Sequence, residues 1–481
     1  MADTNLRDWL EEVDKAGKLM RIDGADWDLE IGGITELNHQ RKEYPALLFD
    51  KIKGYPAGYR VVTGALSAAT LPYGLGLPVA GSDSELVGSL TKKLEDCEKR
   101  LGEFSPKVVK TGPVLENTHS GAAVDLFEFP TPKWHELDGG RYIGTGHALI
   151  TKDPDEGWVN LGTYRVMVQN KNTVGLFANF GKHGRAHIEK CHQRGQACPV
   201  AISVGHHPVL LSVGSTSVQQ GTEYQVAGAL MGKPIRVIEE KVTGLPIPAD
   251  SEIVLAGFCP PGKMMDEGPF GEYTGYYAGG REPALVIEIK RVYHRNNPII
   301  LGCPPAKPPN EHSYFHRITR SSLLHRELTR AHVPGLKKVL VTEEGNLNTI
   351  VISIEQKYPG HVKKVAMLAM NSEALTGMGK WVIVVDDDID VDNWSDVIWA
   401  MTYRVNPEKQ IDIIRRARGS RLDPMLEPAV RGLPGAYFES RVIVDACKPY
   451  EWKDKFPETA RSSPEFEKKM MAKWGAKLKL R

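Results

Sequence analysis

Two glutamates flank a short turn sequence in the middle of the chain. Glu267 and Glu272 are separated by Gly-Pro-Phe-Gly, which disfavours a helix because proline lacks a backbone donor and glycine costs conformational entropy. The spacing predicts a tight turn that leads into a strand and aims both carboxylates at one small volume. Like charges that lie close together separate their pKa values, so one carboxyl could hold a proton near neutral pH and act as an acid. A surface turn with two solvated glutamates would have the same local pattern.

Side chains that could bind a metal ion occur between residues 160 and 223. Asn160, His183 and Glu223 offer an amide oxygen, an imidazole and a carboxylate. This mixed oxygen and nitrogen set suits Mn²⁺ or Mg²⁺ better than structural zinc. Spacing alone does not establish the site, because each residue is also a common buried polar group. His183 and His187 could form a zinc pair on a helix, but Gly184 disfavours a helix there.

Two other polar clusters could either bind a metal ion or have a purely structural role. The acidic residues 386–388 follow a buried strand, where they could hold a metal ion or solvate a loop before a helix that Asn393 can cap. His206 and His207 are neighbours, and neighbouring residues of a strand point to opposite faces. We therefore predict structural roles for both clusters.

Composition excludes several classes of protein. A chain of 481 residues with a net charge of +1 is long enough for about three domains and has no charge bias toward nucleic acid or an anionic membrane. We find neither an apolar run of the roughly 18 residues that span a bilayer nor a signal sequence. The six cysteines contain no CxxC pair, which predicts free thiols in a reducing compartment. We expect a cytoplasmic protein.

Apolar periodicity predicts the elements that must position these residues. Residues 1–112 are typical of an α+β domain, with one helix whose apolar face carries Leu6, Trp9, Leu10 and Val13 and a second over 84–101. Residues 113–314 are rich in short strands, including 148–150 and 209–211, with one helix near 223–231. This pattern predicts a barrel-like or strongly curved sheet, whose mouth is a common cofactor site.

The remaining sequence alternates helices and apolar strands. Residues 315–455 are predicted to form a mostly parallel α/β sheet, with helices over 315–332, 361–371 and 394–403. Residues 456–481 are predicted to be a tail helix that docks on a partner subunit or stays mobile. The fold class is therefore α+β and α/β, in several domains.

Taken together, these motifs resemble the UbiD family of decarboxylases, which use prenylated FMN. The resemblance runs over nearly the whole chain, and the Glu-Gly-Pro-Phe-Gly-Glu element combined with the Asn…Arg block is its most specific part. The matching segments are 6–10, 160–165, 223–230, 267–276, 358–363, 382–388 and 394–400.

The resemblance implies a set of functional residues. Asn160, His183 and Glu223 correspond to the ligands of a Mn²⁺ ion that binds the flavin phosphate, with K⁺ nearby. The implied catalytic residues are Arg165, Glu267 and Glu272, and the further implied cofactor contacts are Thr145, Arg165 and Lys363.

It also implies an activity. The reaction would be the reversible, non-oxidative decarboxylation of an aromatic, heteroaromatic or α,β-unsaturated carboxylic acid through a covalent adduct of cofactor and substrate. Glu267 would protonate the carbon that loses CO₂. The resemblance further implies a split-barrel-like flavin-binding central domain, a C-terminal oligomerisation domain, a homodimer or homohexamer, and a flavin prenyltransferase as the cofactor supplier.

Several alternatives remain open at this point. The chain could be a flavin-dependent oxidoreductase or a non-catalytic subunit of a carboxylase complex, although both implied residue sets are intact. Lys307, His312 or Arg281 could contact a polar aromatic acid or be solvated, and His187 has no assigned role. The sequence decides neither the substrate acid nor the direction of the reaction.

Overall fold

The computed structural model describes residues 5–41, 43–375, 377–431, 433 and 437–479. Residues 1–4 of the predicted first domain and 480–481 of the predicted tail lie outside the described residues. Among the described helices, none combines the length and the apolar character needed to cross a bilayer.

Three strands and four helices form the N-terminal part of the chain. The elements are α1 (Leu6–Lys15), β1 (Leu19–Asp23), α2 (Glu30–His39), β2 (Ala46–Asp50), β3 (Arg60–Thr63), α3 (Leu71–Leu75) and α4 (Asp83–Lys99). The Asn5 side chain begins α1 by accepting hydrogen bonds from the N–H groups of Arg7 and Asp8, at 2.9 and 3.1 Å. The predicted apolar face of α1 is buried. Both predicted N-terminal helices are therefore confirmed.

The central part of the chain is built on one large sheet. Its elements are β4 (Lys107–Val108), β5 (Asn117–Ser120), β6 (Arg141–Gly144), β7 (Ala148–Lys152), β8 (Val159–Gly162), β9 (Arg165–Asn170), β10 (Thr173–Phe177), α5 (His183–Gln193), β11 (Cys198–Val204), α6 (Pro208–Gly214), α7 (Glu223–Met231), β12 (Arg236–Glu239), β13 (Pro246–Pro248), β14 (Ile253–Cys259), β15 (Met264–Glu267), β16 (Glu282–His294) and β17 (Ile299–Leu301).

Ten of these strands form the curved sheet that the sequence predicts. The order is β6-β9-β10-β16-β14-β11-β7-β8, and β5 and β15 also pair with β16. Strand β17 instead pairs with β3, so the central segment returns to the N-terminal sheet. Strands β12 and β13 form a small separate sheet with β4.

The central part contains three helices rather than the predicted one. Residues 209–211, predicted as strand, belong to α6, where Pro208 stands in the first turn and the His207 ring nitrogen accepts from the Val209 N–H at 3.2 Å. This run is buried on every side, so periodicity could not separate helix from strand. Gly184 does not prevent α5, because it lies in the first turn, where its N–H donates to the Tyr164 hydroxyl at 3.1 Å.

The C-terminal part is an α/β unit followed by a helix. Its elements are α8 (Glu311–Arg330), β18 (Leu336–Val341), β19 (Thr349–Ile354), α9 (His361–Met370), β20 (Trp381–Asp386), α10 (Trp394–Tyr403), α11 (Pro407–Gln410), β21 (Ile411–Arg418), β22 (Phe438–Ala446) and α12 (Pro464–Leu478). The sheet order is β18-β19-β20-β22-β21. Its three inner strands are parallel, and both edge strands are antiparallel. The expected mostly parallel sheet is thus mixed, since a short connection joins β18 to β19 as a hairpin.

The acidic residues 386–388 and Asn393 make structural contacts in the C-terminal part. Asp386 and Asp388 receive the Arg404 guanidinium at 3.1 and 2.8 Å, and Lys448 also contacts Asp388. Asn393 caps α10 by accepting from the Ser395 N–H at 3.1 Å. All six cysteines are buried free thiols, as predicted.

Helix α8 is fixed at its first residue. The buried Glu311 carboxylate accepts from the N–H groups of Gly64 and Leu66, at 2.9 and 3.2 Å. These donors belong to the turn after β3, so one side chain ties the start of the C-terminal part to the N-terminal sheet. The contact matters for function because the next two turns of α8 face the central cleft described below.

We expect Glu311→Ala to destabilise the protein. The substitution leaves buried N–H groups of the 64–66 turn without an acceptor, which costs about 2–4 kcal/mol. The measurement is the Tm by differential scanning calorimetry, and Glu344→Ala, an exposed acid of the same C-terminal part, is the control. Equal Tm values for the two variants would contradict the anchoring role of Glu311.

Candidate active site

A buried arginine joins the two glutamates of the turn sequence. The Arg165 Nε donates to both oxygens of Glu267 at 2.8 and 3.0 Å, and its Nη2 donates to Glu267 Oε2 at 2.6 Å. Its Nη1 donates to Glu272. Glu267 is completely buried, and Glu272 nearly so. The three residues therefore form a continuous charge-assisted network, which the resemblance predicted as the catalytic set.

Strand pairing delivers Arg165 and Glu267 to the same place. Arg165 begins β9 and pairs with Phe177 of β10, while Glu267 ends β15 and pairs with Glu282 at the start of β16. Glu272 follows in a loop that returns the chain to β16, so the predicted strand after the turn is absent until Glu282.

Aromatic side chains surround the network. The Arg165 guanidinium carbon lies 4.0 Å from the centre of the Phe177 ring. The rings of Tyr142 and Phe270 are 4.0 Å apart, and the Tyr142 hydroxyl donates to Glu267 Oε1 at 2.8 Å. These rings remove water from the ion pairs and strengthen them, because the local dielectric is low.

The two acids differ in their surroundings. Burial and the neighbouring Glu267 charge raise the pKa of Glu272 to about 7, although Arg165 opposes the rise. Glu272 also lines the cleft in front of the arginine, whereas Glu267 is held behind it by Arg165 and Tyr142. The resemblance implies Glu267 as the proton donor, whereas Glu272 is the acid of the pair that lines the cleft.

The cleft itself lies where the central and C-terminal parts meet. Its walls combine apolar and polar side chains from β9, β10, α6, α8 and nearby loops; among them are Thr145, Arg165, Phe177, Lys182, Leu211, Phe270, Glu272, His312, Phe315, His316 and Leu422. A cleft that combines apolar walls with convergent polar groups is the usual form of a small-molecule site. Lys182 and His316 were missed by sequence reasoning, since neither stands in a motif.

The structure brings only some of the other predicted contacts to the cleft. The Thr145 hydroxyl accepts from the Cys303 N–H at 2.9 Å and holds two wall loops together. His312 lines the cleft, whereas Lys307 is exposed outside it and Arg281 lies beside Asp266. Lys363, the predicted cofactor contact on α9, is not a lining residue among those described, and its ammonium pairs with Asp412.

The three predicted metal ligands lie around one hydroxyl group at the edge of the cleft. Tyr164 lines the cleft and accepts from the Gly184 N–H, next to His183 at the start of α5. Burial raises the pKa of Tyr164, and the nearby Glu223 carboxylate adds to the rise. Asn160 is the second residue of β8, where it lies opposite Thr151 of β7 and close to this hydroxyl.

The chemistry of this set fits a cation and a phosphate. Burial raises the pKa of Glu223 to about 7, and its Oε2 has no hydrogen-bond partner in the described part of the chain. The Asn160 Nδ2 is also buried and unpartnered there. A divalent cation would satisfy the carboxylate, and a phosphate oxygen would accept from the amide. His183 and Glu223 each begin a helix, and helix N-termini attract anions.

His187 has a structural role on the same helix. Its Nδ1 lies 2.9 Å from the Thr151 hydroxyl, and its ring packs edge-on against Trp158 at 4.2 Å between centres. Trp158 also contacts the His183 ring at 5.1 Å. His187 thus positions the indole that supports His183, and these contacts give no support to a zinc pair.

Comparison with known proteins identifies the class of protein. Family models described as the N-terminal, Rift-related and C-terminal domains of 3-octaprenyl-4-hydroxybenzoate carboxy-lyase match residues 10–88, 107–308 and 313–446. A phenolic acid decarboxylase of Streptomyces sp. (strain D7) is 32% identical over 99% of this chain and 98% of its own length. A phenolic acid decarboxylase of Sedimentibacter hydroxybenzoicus is also 32% identical, over 92% of both chains. The class is therefore that of the carboxy-lyases.

Solved structures agree over the full length. The UbiD-class enzyme HmfF from Pelotomaculum thermopropionicum, in complex with FMN, matches with a TM-score of 0.84 at 28% identity, covering 98% of this chain and 100% of that one. The open form of vanillic acid decarboxylase from Sedimentibacter hydroxybenzoicus matches with a TM-score of 0.83 at 30% identity, covering 100% of both chains. The chain belongs to the UbiD family, as the motifs indicated.

We expect Gly268→Ala to abolish most decarboxylase activity. Gly268 has a φ of +87°, and an added Cβ would lie 2.6 Å from the Gly280 carbonyl oxygen and 3.3 Å from the Arg165 guanidinium. Displacement of the loop between Glu267 and Glu272 should lower the rate about 100-fold, because small misplacements of reacting groups are costly. CO₂ release from a panel of aromatic acids is the measurement.

Gly262→Ala is the matched control for backbone strain. Gly262 has a φ of +72°, yet no heavy atom lies within 4 Å of an added Cβ. Both variants carry the same left-handed penalty of about 1–2 kcal/mol, but only Gly268→Ala disturbs the network. Equal activity loss in both would show that strain rather than the Arg165 contact limits the substitution.

Proposed function

We propose that this chain catalyses the reversible, non-oxidative decarboxylation of an aromatic, heteroaromatic or α,β-unsaturated carboxylic acid with bound prenylated FMN. The observation that carries the proposal is the contact of Arg165 with both Glu267 and Glu272 at the wall of the cleft. The similarity to phenolic acid decarboxylases supports the substrate class. An evolved dimeric form of HmfF contains prenylated FMN, which supports the cofactor.

The cofactor would supply the chemistry that no side chain offers, since loss of CO₂ leaves a carbanion that needs an electron sink. Asn160, His183 and Glu223 are the residues that would hold Mn²⁺ and, through it, the flavin phosphate. The predicted K⁺ would lie nearby, and Thr145, which lines the cleft, would contact the cofactor. These assignments rest on the unpartnered Glu223 and Asn160 atoms and on the two helix N-termini.

Each member of the arginine network has its own task. Glu272 delivers a proton to the carbon that has lost CO₂, because it faces the cleft and its raised pKa of about 7 keeps it protonated below that pH. Arg165 fixes the position of Glu272 and stabilises its carboxylate after the transfer. Glu267 and Tyr142 fix Arg165 in turn, and solvent returns the proton to Glu272 between turnovers.

The apolar walls assist the same step. Phe177, Phe270, Leu211 and Phe315 line the cleft on several sides. They would exclude water from a bound carboxylate, and a poorly hydrated carboxylate loses CO₂ more readily. A flavin oxidoreductase or a non-catalytic subunit would leave the Arg165 network without a task.

The assembly and cofactor supply follow the family. We propose a homodimer or homohexamer, with a flavin prenyltransferase as the source of the cofactor and cytoplasm as the location. The mostly exposed α12 helix remains the predicted docking element for a partner subunit.

We expect Glu272→Gln to remove decarboxylase activity while the flavin stays bound. The amide cannot donate a proton to carbon, so the rate should fall by about 10²–10⁴-fold. In the wild-type chain, kcat/KM should fall about tenfold per pH unit above pH 7, because the Glu272 carboxyl with its raised pKa loses its proton there. The measurements are CO₂ release between pH 6 and 9 and the flavin absorbance.

Glu267→Gln separates the two acids. It retains one oxygen that accepts from Arg165, so activity should fall less and the decline above pH 7 should persist. Complete loss of activity in Glu267→Gln, together with an active Glu272→Gln variant, would return the proton-donor role to Glu267.

We expect Glu223→Ala to lose metal and flavin together. Native mass spectrometry with metal analysis, on protein co-expressed with a flavin prenyltransferase, should show prenylated FMN and about one Mn²⁺ per wild-type chain. Removing one ligand should lower metal affinity by about 10–100-fold or more and release the phosphate. Glu239→Ala, an exposed acid outside the cleft, should keep both.

Two outcomes would overturn the cofactor assignment. Stoichiometric flavin in Glu223→Ala would exclude this metal set as the phosphate anchor. Plain FMN alone in the wild-type chain, despite co-expression, would favour the flavin oxidoreductase.

A further inference from the structure

Three side chains with metal-binding groups converge at the far end of the central sheet. His119, Glu128 and His294 each offer one ligand atom, and these atoms all lie within 4.8 Å of one another. The His119 Nδ1 lies 3.1 Å from Glu128 Oε1, and the two imidazole rings are 5.1 Å apart. We infer that this cluster binds a Zn²⁺-class transition-metal ion that stabilises the fold.

The strand register brings the two histidines together. Strand β5 pairs antiparallel with β16, so that His119 lies opposite Val292 and His294 lies opposite Asn117. His119 and His294 are therefore diagonal neighbours on the same face of the sheet. Glu128 ends a 3₁₀ turn that Asp125 begins by accepting from the Phe127 N–H at 3.0 Å. Two strands and a capped turn thus fix the ligand positions.

The His294 ring is already oriented as a metal ligand. Its Nδ1 lies 2.9 Å from the Arg295 carbonyl oxygen, which can only accept, so Nδ1 carries the proton. The lone pair is then on Nε2, which is buried and has no hydrogen-bond partner among the described residues. A histidine that donates one ring N–H to a carbonyl and presents the other nitrogen to the ion is the usual arrangement in metal sites.

Neighbouring groups close the base of the site and leave its mouth open. Phe129 packs edge-on against the His294 ring at 5.5 Å between centres and limits its rotation. His294 is 4% exposed, whereas the His119 and Glu128 side chains are 33% and 23% exposed. An ion can therefore enter from solvent on the side of His119 and Glu128.

The donor set selects the class of ion. Two imidazoles and one carboxylate suit Zn²⁺, Co²⁺ or Ni²⁺, whereas Ca²⁺ and Mg²⁺ prefer sets made of oxygen alone. Three protein ligands leave a fourth tetrahedral position for water.

The site is remote from the decarboxylation chemistry. Glu282 pairs with Glu267 at the start of β16, and His294 is the last residue of this 13-residue strand. The two positions are thus roughly 40 Å apart along the strand. The ion would fasten β5 and the following turn to β16, so it should raise Tm without changing kcat.

The test uses Co²⁺ as a spectroscopic probe and Zn²⁺ for thermodynamics. The Glu223→Ala substitution in the full-length chain removes the metal site of the cleft. We expect calorimetry to show that this variant still binds one Zn²⁺ per chain. Co²⁺ should give visible absorption bands of a four- or five-coordinate ion, and Zn²⁺ should raise Tm. Adding His119→Ala should lower the affinity at least tenfold and remove both the bands and the Tm shift.

His332→Asn in the same background is the matched control. His332 is exposed and has a φ of +52°, a conformation that asparagine tolerates. Absence of Zn²⁺ binding in the Glu223→Ala protein, or unchanged binding after His119→Ala, would overturn the proposal. The same comparison in the wild-type chain must show a difference of one ion between the His119→Ala and His332→Asn variants. Because these readouts do not involve flavin or CO₂, they are independent of the decarboxylase proposal.

Discussion

Burial of one arginine between two carboxylates is the constraint on which the active site depends. Glu267 and Glu272 are buried and the Arg165 side chain is 9% exposed, and a buried charge left without its partner costs several kcal/mol. The three groups must therefore hold one another in place, and their contacts leave little freedom for the backbone that carries them. The loop that begins after Glu267 and carries Glu272 meets this requirement at Gly268, where an added side chain would contact the Gly280 carbonyl oxygen.

Strand β16 sets the register of this arrangement. Leu285 pairs with Leu176 of β10 on one side and with Met264 of β15 on the other. Because Phe177 follows Leu176 and pairs with Arg165, the register of β16 places the arginine strand and the glutamate strand at matching heights. The far end of the same strand carries His294 and receives β5. One long strand thus fixes the positions of both the Arg165 network and the cluster that contains His294.

Local patterns predicted the parts of the structure that depend on local physics. The apolar face of α1 and the pair Glu267 and Glu272 stand out in sequence because their spacing is short. Which of the two acids faces the cleft depends on how Arg165 lies between them, and the spacing of the two residues in sequence does not predict this. Residues 209–211 are apolar on every face, so helix and strand look alike there. His119 and His294 meet only through the register of β5 and β16, which leaves no signal in either segment.

The cleft has walls of two origins. Arg165 and Glu272 belong to the central sheet and its loop, whereas Phe315 and Leu422 come from the C-terminal part. A swing of the C-terminal part would open the cleft to solvent without separating the arginine from either acid. Substitution of Leu422 therefore changes the C-terminal wall of the cleft and leaves the contacts of Arg165 with both acids in place.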